Sequence, residues 1–148
     1  MRKWIRNSIV AVPALLLAIQ VVPYGRDHDN PPVVREPPWP DAETRVLAKR
    51  ACFDCHSNET VWPAYSKIAP LSWLIQSDVS EGRRELNFSH WTDGARKGER
   101  PKEIREAIGE GDMPPFYYTI AHPEARLGPK ERRRLIEGLT AAASRLTR

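Results

Sequence analysis

The sequence of 148 residues predicts an all-α fold. Apolar residues recur at helical spacing in separate segments, whereas no stretch keeps the alternating pattern of a strand. Helix start and stop signals flank the same segments. The predicted helices are Ala42–Ala51, Leu71–Leu86, Pro101–Ile108 and a last one from Gly128 to about Arg145.

Capping residues and apolar stripes support each of these helices. Asp41 after Pro40 is a good N-cap for the first, and Pro101 is well placed as the first residue of the third. Gly109 and Gly111 then end that third helix. The last helix has an apolar stripe that consists of Leu135, Ile136, Leu139, Ala142, Ala143 and Leu146.

Residues 1–24 have the pattern of an export signal or signal-anchor. Positively charged residues precede the apolar run Ile9–Val22, which is shorter than the roughly 20 residues of a full membrane span. Trp4 and Tyr24 bracket the run, and no good signal-peptidase site follows it. We therefore expect an uncleaved, single-pass anchor in the bacterial inner membrane with the remainder in the periplasm. The alternative is a cleaved signal that leaves a periplasmic protein.

Residues 25–40 are rich in proline and charge, which predicts a semi-rigid spacer that packs no core. His28 in this spacer is expected to be a solvated surface histidine. Residues 41–148 then form the folded domain. The net charge of +4 is concentrated at the two ends of the chain and does not resemble a nucleic-acid-binding footprint.

The segment Cys52-Phe53-Asp54-Cys55-His56 contains both cysteines of the chain and has the C-x-x-C-H pattern of a c-type haem attachment site. Two thiols one helical turn apart can form thioethers with one porphyrin, and His56 can bind its iron as proximal ligand. Three alternatives remain open. They are a thioredoxin-like redox pair, half of a zinc site and a plain disulfide.

Met113 is the candidate for the opposite face of the iron. It lies in the Gly/Pro-rich sequence Gly111-Asp112-Met113-Pro114-Pro115, and a thioether is a soft axial ligand that suits electron transfer. His90 and His122 are less favoured alternatives that would give bis-histidine ligation. Aromatic residues could line the haem pocket, and a phenol or indole could reach a haem propionate. These aromatic residues are Trp62, Tyr65, Trp73, Trp91, Tyr117 and Tyr118.

Several longer motifs resemble the bacterial haem-binding domain family of small, single-haem, cytochrome c-like proteins. They are Cys52–Ser66, Ile68–Ile75, Asp78-Val79 with Gly82-Arg83, Leu86–Ser89 with Trp91, Met113–Pro115 with Tyr118, and His122 with Ala125 and Leu127. The resemblance runs from about Val46 to Leu139. It implies one haem c attached covalently to Cys52 and Cys55, with His56 and Met113 as axial ligands, in an exported protein.

A haem with both axial positions filled predicts a one-electron carrier that serves a membrane or periplasmic redox partner. The alternative is a haem-based peroxidase or a gas or redox sensor, in which the sixth ligand is labile. No nucleophile–base pair or carboxylate dyad suggests hydrolytic or transfer chemistry, so an enzyme is the less expected class.

Overall fold

Residues 2–145 are described by a computed structural model, and within this range the ordered elements are all helical. Among the described residues, β-pairing is limited to one isolated bridge between Arg35 and His90. The α-helices are α1 Arg2–Ile19, α2 Ala42–Ala51, α3 Phe53–His56, α4 Leu71–Glu85, α5 Pro101–Gly109, α6 Phe116–Ala121 and α7 Pro129–Ser144. The all-α prediction is therefore confirmed, and α2, α4, α5 and α7 lie at the predicted positions.

The chain divides into two compact units. The first comprises Met1–Asp29 and Trp62–Asp78, and the second comprises Asn30–Val61 and Val79–Arg148. The second unit contains one hydrophobic core, built from α2, α5, α7 and the loop before α5. The buried members of this core are Leu47, Ala48, Phe53, Phe88, Trp91, Ile104, Ile108, Leu135, Leu139 and Ala143.

Helices α2 and α7 pack at very short range where Gly138 faces Thr44. A Cβ atom on Gly138 would lie 2.3 Å from the Thr44 Oγ1 atom and 2.4 Å from its Cγ2 atom. Asp41 caps α2 as predicted, accepting a hydrogen bond of 2.8 Å from the Thr44 backbone N–H. The apolar stripe of α7 faces the core as expected, although Leu146 lies outside the described residues.

Residues 30–40 differ from the predicted spacer, because they lie along the second unit and contribute to its core. Trp91 donates a backbone hydrogen bond of 2.9 Å to the Arg35 carbonyl, and the indole of Trp39 packs against the core cluster. The Glu36 carboxylate accepts two hydrogen bonds of 2.7 Å from the Arg45 guanidinium. Proline favours an extended chain, and an extended chain can line a domain as well as link two.

In the first unit, the segment after α1 folds back on residues 66–72. The Gln20 side-chain amide donates a hydrogen bond of 2.8 Å to the Ala69 carbonyl and accepts one of 3.1 Å from the Ala69 N–H. The prediction of a solvated His28 is wrong. Its ring stacks on Trp62 with 4.6 Å between ring centroids, and its Nε2 atom lies 3.0 Å from the Ser66 hydroxyl.

Helix α1 covers the predicted N-terminal apolar segment up to Ile19. Among residues 2–145, however, no helix combines the length and apolar character that crossing a membrane requires. In α4, helical spacing in the sequence predicts one apolar face that contains Leu71, Leu74 and Val79. The side chains of Leu71 and Leu74 are exposed, whereas Val79 of the same stripe is buried.

Candidate haem site

The C-x-x-C-H motif lies where α2 ends and α3 begins, in the second unit. Cys52 ends α2 by donating a hydrogen bond of 2.9 Å to the Ala48 carbonyl, and His56 donates one of 2.9 Å to the Cys52 carbonyl. The side chain of Phe53 is buried in the core and fixes this turn to it. Cys52, Cys55 and His56 are each partly exposed. The structure thus brings the three predicted site residues together within one helical turn.

The His56 imidazole is oriented by two backbone carbonyls. Its Nδ1 atom lies 2.9 Å from the Gly82 oxygen and 3.1 Å from the Leu86 oxygen. Since both neighbours only accept hydrogen bonds, Nδ1 carries the proton and Nε2 keeps its lone pair for a metal. Burial lowers the pKa of His56, which favours the same neutral form. Such outer hydrogen bonds fix the ring of a metal-binding histidine.

Gly82 allows α4 to approach the motif closely. A Cβ atom at this position would lie 2.5 Å from the Cys55 carbonyl oxygen and 2.9 Å from its carbonyl carbon. Backbone atoms cannot move aside as a flexible side chain can, so the contact requires glycine. The same approach places the Gly82 carbonyl beside His56. The sequence carried a signal for this role, because an isolated glycine inside a predicted helix often marks a close backbone contact.

Arg83, the next residue of α4, holds the chain that follows the motif. Its Nε–H donates a hydrogen bond of 2.8 Å to the Ser57 carbonyl, and its Nη2 donates one of 3.0 Å to the Thr60 hydroxyl. The Thr60 hydroxyl in turn donates to the Asp54 carbonyl at 2.7 Å. No local sequence pattern indicates this role of Arg83, because its partners lie 23 and 26 residues away in the chain.

Cys52 and Cys55 form no disulfide. Burial, followed by the charge of the neighbouring Cys55, raises the pKa of Cys52 to about 12. A thioredoxin-like pair requires a lowered thiol pKa and a preceding strand, whereas here a helix precedes the motif. Among residues 2–145, no group of three or more histidine, cysteine or acidic side chains could hold a metal ion. The thioredoxin-like alternative therefore loses support.

Met113 lies between α5 and α6, partly buried against the core cluster that Cys52 also contacts. Its backbone N–H donates a hydrogen bond of 2.9 Å to the Ala107 carbonyl of α5. The loop is thus fixed to α5 just before the two prolines. This position leaves Met113 available as the second axial ligand, with its backbone held in place.

The two alternative histidines have different surroundings. His90 is exposed, at the bridge to Arg35. His122 is partly buried, stacks on Tyr118 with 4.4 Å between ring centroids, and places its Nδ1 atom 3.3 Å from the Glu124 carboxylate. His122 thus packs on Tyr118, whose hydroxyl contacts Asp54 of the motif.

Tyr118 makes a contact that the sequence did not predict. Its hydroxyl donates a hydrogen bond of 2.8 Å to the Asp54 carboxylate, inside the C-x-x-C-H motif. Burial and the negative charge of Asp54 raise the pKa of Tyr118, so the phenol stays protonated and remains a donor. We had expected this phenol to line the pocket or to reach a propionate.

The sequence model of the haem-binding domain family matches residues 14–141 of this chain. The chain belongs to the haem-binding domain family. The match includes the C-x-x-C-H motif, Met113 and the C-terminal part of α1. No curated protein matches the chain, and no solved structure does. The family membership establishes a haem-binding protein.

The residues present fit a haem. The two thiols form no disulfide, the nearby imidazole has its Nε2 lone pair available, and a soft thioether lies in a loop that packs against the same core. All of these groups belong to the second unit. Cys52 and Cys55 would hold the porphyrin, and His56 and Met113 would bind the iron.

Proposed function

We propose that this protein is a c-type cytochrome-like electron carrier, with one haem attached to Cys52 and Cys55 by thioether bonds. The observation that carries the proposal is the oriented His56 ring, which follows Cys52 and Cys55 and has its Nδ1 proton bound by the Gly82 and Leu86 carbonyls. Met113 is proposed as the sixth ligand. The bound haem would supply a one-electron iron couple.

The residues around the site support electron transfer over catalysis. The thioethers would hold the porphyrin permanently, and the fixed His56 ring would keep one axial bond in the same geometry in both oxidation states. Met113, with its backbone fastened to α5, would fill the remaining position and exclude exogenous ligands. We place the haem domain on the exported side of the bacterial inner membrane, where thioether attachment occurs, and propose a membrane or periplasmic redox partner.

Covalent attachment is tested by producing the full chain with export and haem-attachment machinery. We expect the intact mass to exceed that of the polypeptide by one haem, and the haem stain to survive a denaturing gel. The Cys52→Ala/Cys55→Ala double variant should lose that covalent haem, because no thiol remains. Wild-type protein with only its polypeptide mass and two titratable thiols would overturn the proposal.

Axial ligation is tested separately by spectroscopy. Oxidised wild-type protein should show the weak far-red band of methionine bound to ferric iron. Met113→Ala should abolish that band and lower the reduction potential by on the order of a tenth of a volt or more. His90→Ala is the matched control and should keep the band. A high-spin wild-type spectrum would instead favour the peroxidase or sensor function.

A further inference from the structure

The segment that carries Met113 is connected to the C-x-x-C-H motif by one side-chain contact. Tyr118 follows Met113 by five residues, and its phenol donates to the Asp54 Oδ2 atom at 2.8 Å. Asp54 lies between the two cysteines and two residues before His56. The contact therefore joins the chain segments that carry the two proposed axial ligands.

Helix α6, which carries Tyr118, has no buried residue, and Phe116 and Ile120 on this helix are 76% and 66% exposed. The chain enters the interior again at Ala125, which is fully buried. Between Met113 and Ala125, the phenol of Tyr118 contacts the attachment motif, and the ring of His122 stacks on that phenol.

We propose that Tyr118 is a positioning residue for the distal ligand, holding the Met113 loop against the attachment motif through its hydrogen bond to Asp54. The proposal rests on the proposed function, because it assigns Tyr118 a role in Met113 ligation. Two contacts then confine the loop. The Ala107 carbonyl holds the Met113 backbone on one side, and Asp54 holds Tyr118 on the other.

Asp54 makes a clean test possible because each of its carboxylate oxygens has its own partner. The Oδ1 atom accepts a hydrogen bond of 3.0 Å from the Val61 backbone N–H, independently of Tyr118. The Tyr118→Phe substitution therefore removes the tether while the carboxylate keeps a partner. A neighbouring tyrosine on the same helix, Tyr117, is 41% exposed and provides the matched control Tyr117→Phe.

The experiment uses ferric full-chain holoprotein and titrates it with imidazole, which competes with Met113 for the iron. We expect Tyr118→Phe to bind imidazole about tenfold more tightly than wild type and to weaken the far-red band. Tenfold corresponds to about 1.4 kcal/mol, a magnitude that one hydrogen bond to a charged acceptor can supply. Tyr117→Phe should match wild type. A role in folding alone would lower the unfolding temperature without changing imidazole affinity.

An unchanged imidazole affinity and far-red band in Tyr118→Phe would overturn the inference while leaving Met113 ligation intact. If wild type itself lacks the band and binds imidazole as tightly as Met113→Ala, the ligand assignment fails, and the inference fails with it. Should Tyr118→Phe not yield holoprotein, Asp54→Asn decides, because it weakens the acceptor but keeps the side-chain shape. It should raise imidazole affinity in the same direction, and no change would overturn the inference.

Discussion

Gly82 shows how much the site depends on one missing side chain. Its hydrogen atom leaves room for the Cys55 carbonyl, and its own carbonyl binds the His56 Nδ1 proton. The distance between α4 and the motif and the orientation of the imidazole are thus set at the same position. A substitution here should disturb both.

We predict that Gly82→Ala lowers the free energy of unfolding by about 1–3 kcal/mol, because the new Cβ atom overlaps backbone atoms of Cys55. Haem incorporation should fall as well, because a displaced α4 moves the carbonyl of residue 82 away from the His56 Nδ1 proton. Chemical denaturation and the haem-to-protein ratio measure the two effects. Gly109→Ala is the matched control, because the nearest atom to its Cβ would be 4.0 Å away. Equal stability of the two variants would contradict the prediction.

The sequence indicates the proposed haem ligands, whereas it does not indicate the contacts that orient them. Spacing alone indicated Cys52, Cys55 and His56, because the attachment chemistry requires neighbours in sequence. The hydrogen bond from Tyr118 to Asp54 joins positions 64 residues apart, and no local pattern encodes it. The stacking of His28 on Trp62 was missed for the same reason.

Among the helices, α2 and α7 depend on each other where Thr44 meets Gly138. Both residues are buried. Thr44 belongs to α2, the helix that leads into Cys52. Alanine is the better helix former by roughly 1 kcal/mol, so propensity alone would favour Gly138→Ala. The overlap with Thr44 acts in the opposite direction.

We predict that the overlap dominates and that Gly138→Ala lowers the free energy of unfolding by a net amount of about 1–2 kcal/mol. Adding Thr44→Ala should recover part of the loss, because it removes the two closest atoms, Oγ1 and Cγ2. A double-mutant cycle followed by chemical denaturation measures this coupling. Strictly additive effects would show that the two helices do not meet as described.

Element prediction succeeded where apolar periodicity was long and failed where segments were short or extended. Helices α2, α5 and α7 have full stripes and capping residues, and their predicted positions are confirmed. Helices α3 and α6 have too few residues to show a period. Residues 30–40 have no period at all, and their place against the core depends on Trp39 and on the pairing of Glu36 with Arg45.

For the second unit as a whole, three carboxylates paired with arginines connect its parts. Glu36 pairs with Arg45, Asp41 with Arg134 and Glu131 with Arg50. The Arg45 hydrogen bond lowers the pKa of Glu36 below its usual 4.5. Backbone hydrogen bonds, supplemented by the arginines, lower the pKa of Asp41 and of Glu131.

Because each folded-state pKa is lowered, the unfolded chain binds more protons in acid, and stability is lost as the pH falls. We predict that the unfolding temperature is steady above about pH 5 and declines below the usual Glu36 value of 4.5. Glu36→Gln should lower stability at neutral pH and flatten the acid decline. Scanning calorimetry between about pH 7 and pH 3 checks both effects. A parallel profile for wild type and variant would contradict the assignment.

The paired hydrogen bonds between Gln20 and Ala69 have a consequence for maturation. Ala69 is 2% exposed, so both of its main-chain polar groups depend on that one side-chain amide. Cleavage after Val21 would remove Gln20, and the buried N–H and carbonyl of Ala69 would lose these two hydrogen bonds. Cleavage at that point would therefore destabilise the first unit. The intact chain, which keeps Gln20, is the more stable form of this unit.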